Sequence, residues 1–230
     1  QKTGKSLINC DMLIAEEVCK HGMSSTGEFA SELSKLIADR GITKVIETGT
    51  YLGQGTTKAI LSGLMAHGKP FHFISIEVNP EFAEKARKNT GKILGFDIWN
   101  GLSIPHSMKP TSMTWDYPDH VIVDHQPAYR NDLYQAELNH NVPDDLLKRA
   151  VEFMDNSPQL VLLDSAGHIG SIEFQYLQSL TKGSYILALD DTNHVKHYHS
   201  MELIRSAPEK YEIIYETNDK FGSAIIQVKC

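Results

Sequence analysis

From residue 44 onward, short apolar runs alternate with longer stretches whose apolar residues recur every three or four positions. KVIETG (44–49), FHFISIE (71–77), ILGFDI (93–98), QLVLLD (159–164) and YILALDD (185–191) are near-continuous apolar runs of strand length. The stretches 54–68, 80–89, 142–154, 171–180 and about 197–206 carry helical spacing, and Pro80 opens its helix in the first turn. Two further amphipathic stretches, 6–20 and 26–40, precede the first strand, with Thr26 as a candidate cap for the second and Gly41 as its stop. YEIIYET (211–217) and SAIIQVK (223–229), joined by a turn around Asn218–Gly222, predict a closing hairpin. Strands this apolar, separated by helices, predict an α/β domain: a buried parallel sheet with helices on both faces and an antiparallel edge from the hairpin.

Residues 99–158 break the rhythm. They hold six prolines and both tryptophans, with one apolar run, HVIVD (120–124), between them. That is too long for an ordinary connection, so the segment reads as an insertion or lid within one domain spanning 1–230. Asp124, His125, Tyr129 and Arg130 stand close together in it, as a substrate-closing segment or an oligomer contact would place them.

Composition narrows the function classes. The chain has 230 residues, 41% hydrophobic, with a formal net charge of −7, and no Lys/Arg stripe interleaved with aromatics, which argues against a nucleic-acid partner. Cys10, Cys19 and Cys230 fit neither a zinc pattern nor a disulfide frame and read as free thiols. No signal-peptide pattern and no apolar run of about 18 residues is present, so a cytoplasmic protein with no membrane partner is expected.

The carboxyl ends of the strands carry the chemistry, because ligands of open parallel sheets bind there. The first strand runs into Glu47-Thr-Gly-Thr-Tyr-Leu-Gly-Gln-Gly-Thr, the second ends at Glu77 and the third at Asp97. Glycine lets backbone approach a ligand closely. An acid after the second strand can accept from a ribose diol, and one after the third from an adenine amino group. A dinucleotide would want G-x-G-x-x-G with its pyrophosphate on the helix N-terminus. This loop has a carboxylate instead, which repels phosphate and suits a cationic ligand. S-adenosylmethionine carries an ammonium, a sulfonium, a ribose diol and an adenine, and no phosphate.

VIETGTYLGQGT, FISIEVNPEFAEKARKN, LVLLD and ILALDD together resemble the class I S-adenosylmethionine-dependent methyltransferases. The resemblance covers about 40–98 and 159–229, and is strongest to the O-methyltransferases of the catechol and caffeoyl-CoA type and to bacterial relatives in antibiotic biosynthesis. It implies a Rossmann-like, seven-stranded, mostly parallel sheet with an antiparallel last strand. It implies cofactor contacts from Glu47, Gly49, the Thr50–Tyr51 turn and Gly53, with Glu77 on the ribose and Asp97 on the adenine side. Thr56, Val78 and Asp164 complete the expected cofactor set.

Asp164, Asp190 and Asp191 end two strands on one edge of the sheet, and hard oxygen ligands without sulfur or imidazole fit Mg²⁺. The catechol-type enzymes carry an Asp-Asn pair where this chain has Asp190-Asp191. Asp164 and Asp190 could instead cap helices or contact cofactor. His168 follows Asp164 by four residues and is the expected general base. Related bacterial families space this as D-x-x-H, one residue shorter, and the catechol enzymes use a nearby lysine. His194, Lys196, His197 and His199 are the other candidate bases, and together could chelate a transition metal. The expected activity is methyl transfer to a small-molecule hydroxyl with Mg²⁺ assistance. N-methylation on the same fold, a nucleotide-dependent oxidoreductase and a non-catalytic cofactor-binding protein are the alternatives, and self-association is left open.

Overall fold

A computed structural model describes residues 27–110, 117–121 and 127–229, with the side chains of 127–131 and 133 excepted. The expected helix over 6–20, the three cysteines, the Thr26 cap, Asp124 and His125 lie outside the described residues, as do the side chains of Tyr129 and Arg130 and most of HVIVD.

The chain builds β1 (Lys44–Thr48), β2 (His72–Glu77), β3 (Phe96–Asn100), β4 (Leu160–Leu163), β5 (Tyr185–Asp190), β6 (Tyr211–Thr217) and β7 (Ser223–Val228) into one sheet of order β3-β2-β1-β4-β5-β7-β6. The first five strands are parallel and β7 runs antiparallel to both β5 and β6. This is the seven-stranded Rossmann-like sheet with an antiparallel last strand that the resemblance implies.

Among the described residues, seven α-helices connect and cover it: α1 (Glu28–Arg40), α2 (Thr56–Ala66), α3 (Pro80–Thr90), α4 (Pro127–Leu138), α5 (Leu146–Phe153), α6 (Ile169–Leu180) and α7 (Tyr198–Ser206). α1 stops where Gly41 turns left-handed at φ 60° and its N–H bonds back to Ala38 and Ile37 carbonyls. Alternate residues of the inner strands feed two cores. Ile46, Ile74, Val161, Leu163 and Leu187 pack with Phe174 and Leu177 of α6 and Leu147 and Val151 of α5. Val45, Phe73, Leu160 and Leu162 pack on the other face with Leu33 and Ile37 of α1 and Ile60 and Leu64 of α2. Because both faces are buried, the strands show no polar alternation, which is why they read as continuous apolar runs.

Two expectations shift. The third strand was expected over 93–98; it begins only at Phe96, because Gly95 sits at φ +86° with its carbonyl accepting from Phe73 N–H at 2.8 Å. Leu94 is left 97% exposed outside the strand. Within the segment 99–158, the structure adds α4, which the flanking prolines and weak amphipathicity concealed, and Leu102, Ile104, Leu138 and Ile169 form a small core of their own.

The sheet's order reverses at β1, whose chain successors lie on one side (β2, β3) and whose other neighbour is β4. The crevice between the carboxyl ends of β1 and β4 is therefore the binding position expected for this architecture. Gly49 ends β1 at φ +80°, so close to the Asp164 carbonyl that a Cβ would collide with it. Glycine is required there on both counts.

Packing makes a simple contrast testable. Replacing the buried Phe174 by Ala should cost about 3–5 kcal/mol of unfolding free energy. Leu94→Ala should change it by less than about 0.5 kcal/mol. Chemical denaturation of both variants checks this; a Leu94 variant as unstable as the Phe174 one would show the strand boundary to be misplaced.

Candidate active site

Glu47, the penultimate residue of β1, is fully buried. Its Oε1 accepts from Thr56 Oγ at 2.6 Å, and its Oε2 from Thr57 Oγ at 2.7 Å and Ser75 Oγ at 2.6 Å. Burial raises its pKa and the three hydroxyls oppose the rise. The carboxylate thus ties β1 to the first turn of α2 and to β2. Thr56, expected on the cofactor, spends its hydroxyl inside this knot.

The turn that follows is fixed by backbone bonds. Gly49 N–H donates to Ile76 O at 3.0 Å, Gly53 N–H donates to Thr50 O at 2.9 Å, and Thr50 Oγ and Ser75 Oγ share a hydrogen bond of 2.5 Å. Tyr51 is left-handed at φ 50°, and its N–H donates to Glu77 Oε2 at 2.7 Å. Gly53 stands at φ +66° with α3 residues Ala86 and Thr90 beside it. The bare loop is therefore pulled against the end of β2 by one buried acid.

Glu77 Oε1 also accepts from Asn79 N–H at 2.9 Å. Burial pushes its carboxyl up to about 7 against the pull of those two backbone donors. The Glu77 carbonyl accepts from Gly101 N–H at 2.9 Å, and Asn100 Nδ2 bonds to the Glu77 and Val78 carbonyls. Glu47, Gly49, Thr50, Tyr51, Gly53, Glu77 and Val78 are thus gathered at the carboxyl ends of β1 and β2.

Asp97 is not among them, which corrects the expectation that it ends its strand. It is the second residue of β3, level with Ile74, about 10 Å short of the carboxyl end at some 3.3 Å per residue. Its Oδ2 accepts from Trp99 Nε1 at 3.0 Å, and it lines a groove with His72, Phe96 and Phe153 at the amino end of β2 and β3. The displacement follows directly from the late start of β3. Asn100 and Gly101 occupy the strand end instead.

On the other side of the crevice, Asp164, Asp190 and Asp191 offer carboxylate oxygens all within 4.8 Å of one another. The two strand ends converge as expected. A cation already stands among them: Lys196 Nζ lies 2.5 Å from Asp164 Oδ1 and 2.6 Å from Asp191 Oδ2, with its side chain only 7% exposed. It also donates to the Asp164 carbonyl at 3.3 Å. Burial lowers the lysine's pKa, but Asp164, Asp191 and Asp190 overcome that and hold it well above the ordinary lysine range. Burial raises the Asp164 carboxyl to about 7, with the Lys196 ammonium opposing. Burial and its two acidic neighbours also raise the Asp190 carboxyl, which accepts from Ser223 Oγ at 2.8 Å.

Donor chemistry alone would suit Mg²⁺. An ion bound at about 2.1 Å to the oxygens that Lys196 holds, however, would stand within about 4.6 Å of the ammonium. Unit charges 4 Å apart repel by about 4 kcal/mol at an effective dielectric near 20, and a divalent ion doubles that. Lys196 thus stands on oxygens that a divalent ion would use.

The histidines separate into different roles. His168 sits immediately before α6, its ring 6.0 Å from that of Tyr117. Tyr117 also packs on His199 at 4.9 Å and Tyr198 at 6.2 Å, forming an aromatic and imidazole cluster beside the base candidate. His197 is fully buried, with Nε2 3.1 Å from Leu163 O and Nδ1 3.3 Å from Ser200 Oγ. Burial and the adjacent Lys196 charge lower its pKa to about 3, so it is a neutral packing residue and not a base. His194 is buried against Phe221, and His199 is exposed and paired with Glu202. They are too differently placed to form one chelate.

Sequence reasoning passed over Glu173. It is fully buried on α6, accepts from Thr48 Oγ at 2.9 Å and Ser165 Oγ at 2.7 Å, and burial raises it to about 7. Its spacing from Ile169, Gly170, Phe174 and Leu177 on the buried face of the helix was the available signal.

No protein-family model matches the chain, and no curated protein matches it significantly. Solved structures do. An O-methyltransferase from Bacillus cereus in complex with S-adenosylhomocysteine (SAH) aligns over 99% of this chain and 92% of its own, at TM-score 0.55 and 14% identity. The O-methyltransferase TomG from Streptomyces achromogenes, involved in tomaymycin synthesis and bound to S-adenosylmethionine, aligns over 99% and 92% at 0.56 and 12%. A methyltransferase from Geobacter sulfurreducens aligns over 100% and 93% at 0.55 and 11%. At this identity the likeness is one of fold: the chain shares the fold of these methyltransferases.

The buried imidazole yields a pH prediction. His197 titrates near 3 when folded and near 6.5 when unfolded, so its contribution is complete above 6.5 and is lost as the pH falls toward 3. The destabilisation caused by His197→Gln should be largest above pH 6.5 and shrink by about 1.4 kcal/mol per pH unit below it. Urea melts across pH 4–8 check this; a penalty independent of pH would contradict the neutral assignment.

Proposed function

We propose that the protein transfers a methyl group from S-adenosylmethionine to a hydroxyl of a small-molecule acceptor. The observation that carries the reading is the glycine turn after β1, drawn by the Tyr51 N–H onto the buried Glu77 at the end of β2. It offers a diol acceptor beside backbone that can approach a ligand, with carboxylates where a dinucleotide would need phosphate donors. The shared fold of SAH- and S-adenosylmethionine-bound O-methyltransferases supports it.

In this reading Gly49, Thr50, Tyr51 and Gly53 pass along the methionine moiety and Glu77 binds the ribose hydroxyls. Gly101 at the end of β3 stands on the adenine side in place of Asp97. Methyl transfer from a sulfonium needs alignment, exclusion of water and removal of the acceptor proton. His168, four residues beyond Asp164, is the base we assign to that proton, and the Tyr117, Tyr198 and His199 rings beside it favour a planar acceptor. The segment over residues 99–158 supplies part of that wall through Tyr117. We adopt a hydroxyl acceptor: its proton leaves as the methyl arrives, and His168 is the group assigned to take it.

Saturation with SAH at about 100 times Kd should add roughly 2.7 kcal/mol, raising the melting temperature by about 5–10 °C. NAD⁺ should add nothing. Because burial sets Glu77 near 7, SAH affinity should fall as the pH drops below 7 and the carboxylate acceptor is protonated. Glu77→Gln should weaken SAH by about 10–100-fold at pH 8, the loss of a charged hydrogen bond, and flatten the pH dependence. Calorimetric titrations of both proteins at pH 6 and 8 decide it. Equal affinity in the two proteins would remove Glu77 from the site, and no binding of SAH by either would end the methyltransferase reading.

A further inference from the structure

The acid cluster at the ends of β4 and β5 contains its own counter-ion. Lys196 reaches it from the loop after β5, and its three N–H donors match the three acceptors within reach: Asp164 Oδ1, Asp191 Oδ2 and the Asp164 carbonyl. The reach is built into the packing. Gly170, in the first turn of α6, lies against the aliphatic stem, where a Cβ would come within 2.7 Å of Lys196 Cγ and 2.8 Å of His197 Cε1. His197 in turn is pinned to the Leu163 carbonyl at the end of β4. Asp191 is held at φ +61°, a conformation that Asp tolerates better than most residues, and its Oδ2 stands against the ammonium. The stem is thus fixed by a helix on one side and the head by two strand ends.

We propose that the Lys196 ammonium takes the position of a divalent cation in this cluster, so that Asp164, Asp190 and Asp191 work as a metal-free site. The proposal rests on the methyltransferase reading only for what the site is used for; the cation claim stands on the geometry. A fixed ammonium offsets one of the two carboxylate charges that face it, and joins the ends of β4 and β5.

The test is Mn²⁺ binding, followed by the loss of the free-ion electron paramagnetic resonance signal on the full chain. Wild type should leave the signal of equimolar Mn²⁺ undiminished. Lys196→Met, which keeps the stem and deletes the charge, should bind Mn²⁺ on the order of thirtyfold or more tightly than wild type, from removing a unit charge about 4 Å from a divalent ion. That binding should vanish when Asp191→Asn is added. Lys196→Gln serves as a second variant that retains N–H donors, and circular dichroism confirms that each protein tested is folded. Mn²⁺ should also raise the melting temperature of the Lys196 variants and leave that of wild type unchanged. Stoichiometric Mn²⁺ binding by wild type that Asp191→Asn abolishes would overturn the proposal. Folded Lys196 variants that bind no Mn²⁺ would overturn it too, because the cluster would then be no cation site for the lysine to fill. SAH binding is read separately, so failure of the methyltransferase reading would leave these outcomes distinct.

Discussion

A carboxyl group taken out of water must find donors or a counter-charge, and the carboxyl edge of this sheet contains Glu47, Glu77, Asp164, Glu173 and Asp190, all largely buried. The local structure there follows from how each is satisfied. Glu47 gathers three hydroxyls from α2 and β2, Glu77 gathers two N–H groups from the loops beside it, and Glu173 collects Thr48 and Ser165. Asp164 takes the ammonium of Lys196. The loops between strands and helices are therefore shaped by the acids they must satisfy as much as by their glycines.

This arrangement also separates the crevice into two halves of different character. On the β1–β2 side the acids are held by neutral donors, and Glu77 lies near its titration range at neutral pH. That suits a group that accepts from sugar hydroxyls. On the β4–β5 side the acids face a fixed positive charge. Between the two halves, Gly49 and the Asp164 carbonyl close the gap between β1 and β4, so that the halves are placed by backbone contact and not by long side chains. A cofactor lying across the switch point would meet backbone in the middle and carboxylates at either side.

Most of the architecture was legible in the sequence because a doubly covered parallel sheet writes itself as apolar runs. VIET, FISIE, LVLL and YILALD need no partner information to be read as strands. β3 was misread for the same reason: ILGFDI is apolar enough to be a strand, and only the positive φ of Gly95 makes it start three residues later. That single slip moved Asp97 from the ligand edge to the opposite one. α4 was concealed by the proline at its start and a weak apolar stripe. The acids at strand ends were legible as a group, whereas their partners were not. Lys196 could be named as a titratable residue near the site, but its insertion among the acids depends on Gly170 and on the loop after β5, contacts that no local pattern encodes. Glu173 was missed because an acid on a helix reads as solvent-facing until the helix's buried face is known.

The central claim is that the carboxyl ends of β1 and β2 hold the cofactor, with Glu77 on its ribose. A crystal structure of the protein with SAH bound tests it most directly. The account predicts ribose hydroxyls within hydrogen-bond distance of the Glu77 carboxylate, the methionine moiety along the Gly49–Gly53 turn, and the adenine beside Asn100 and Gly101. SAH seated instead in the groove around His72, Asp97 and Phe153, or with its ribose away from Glu77, would contradict it.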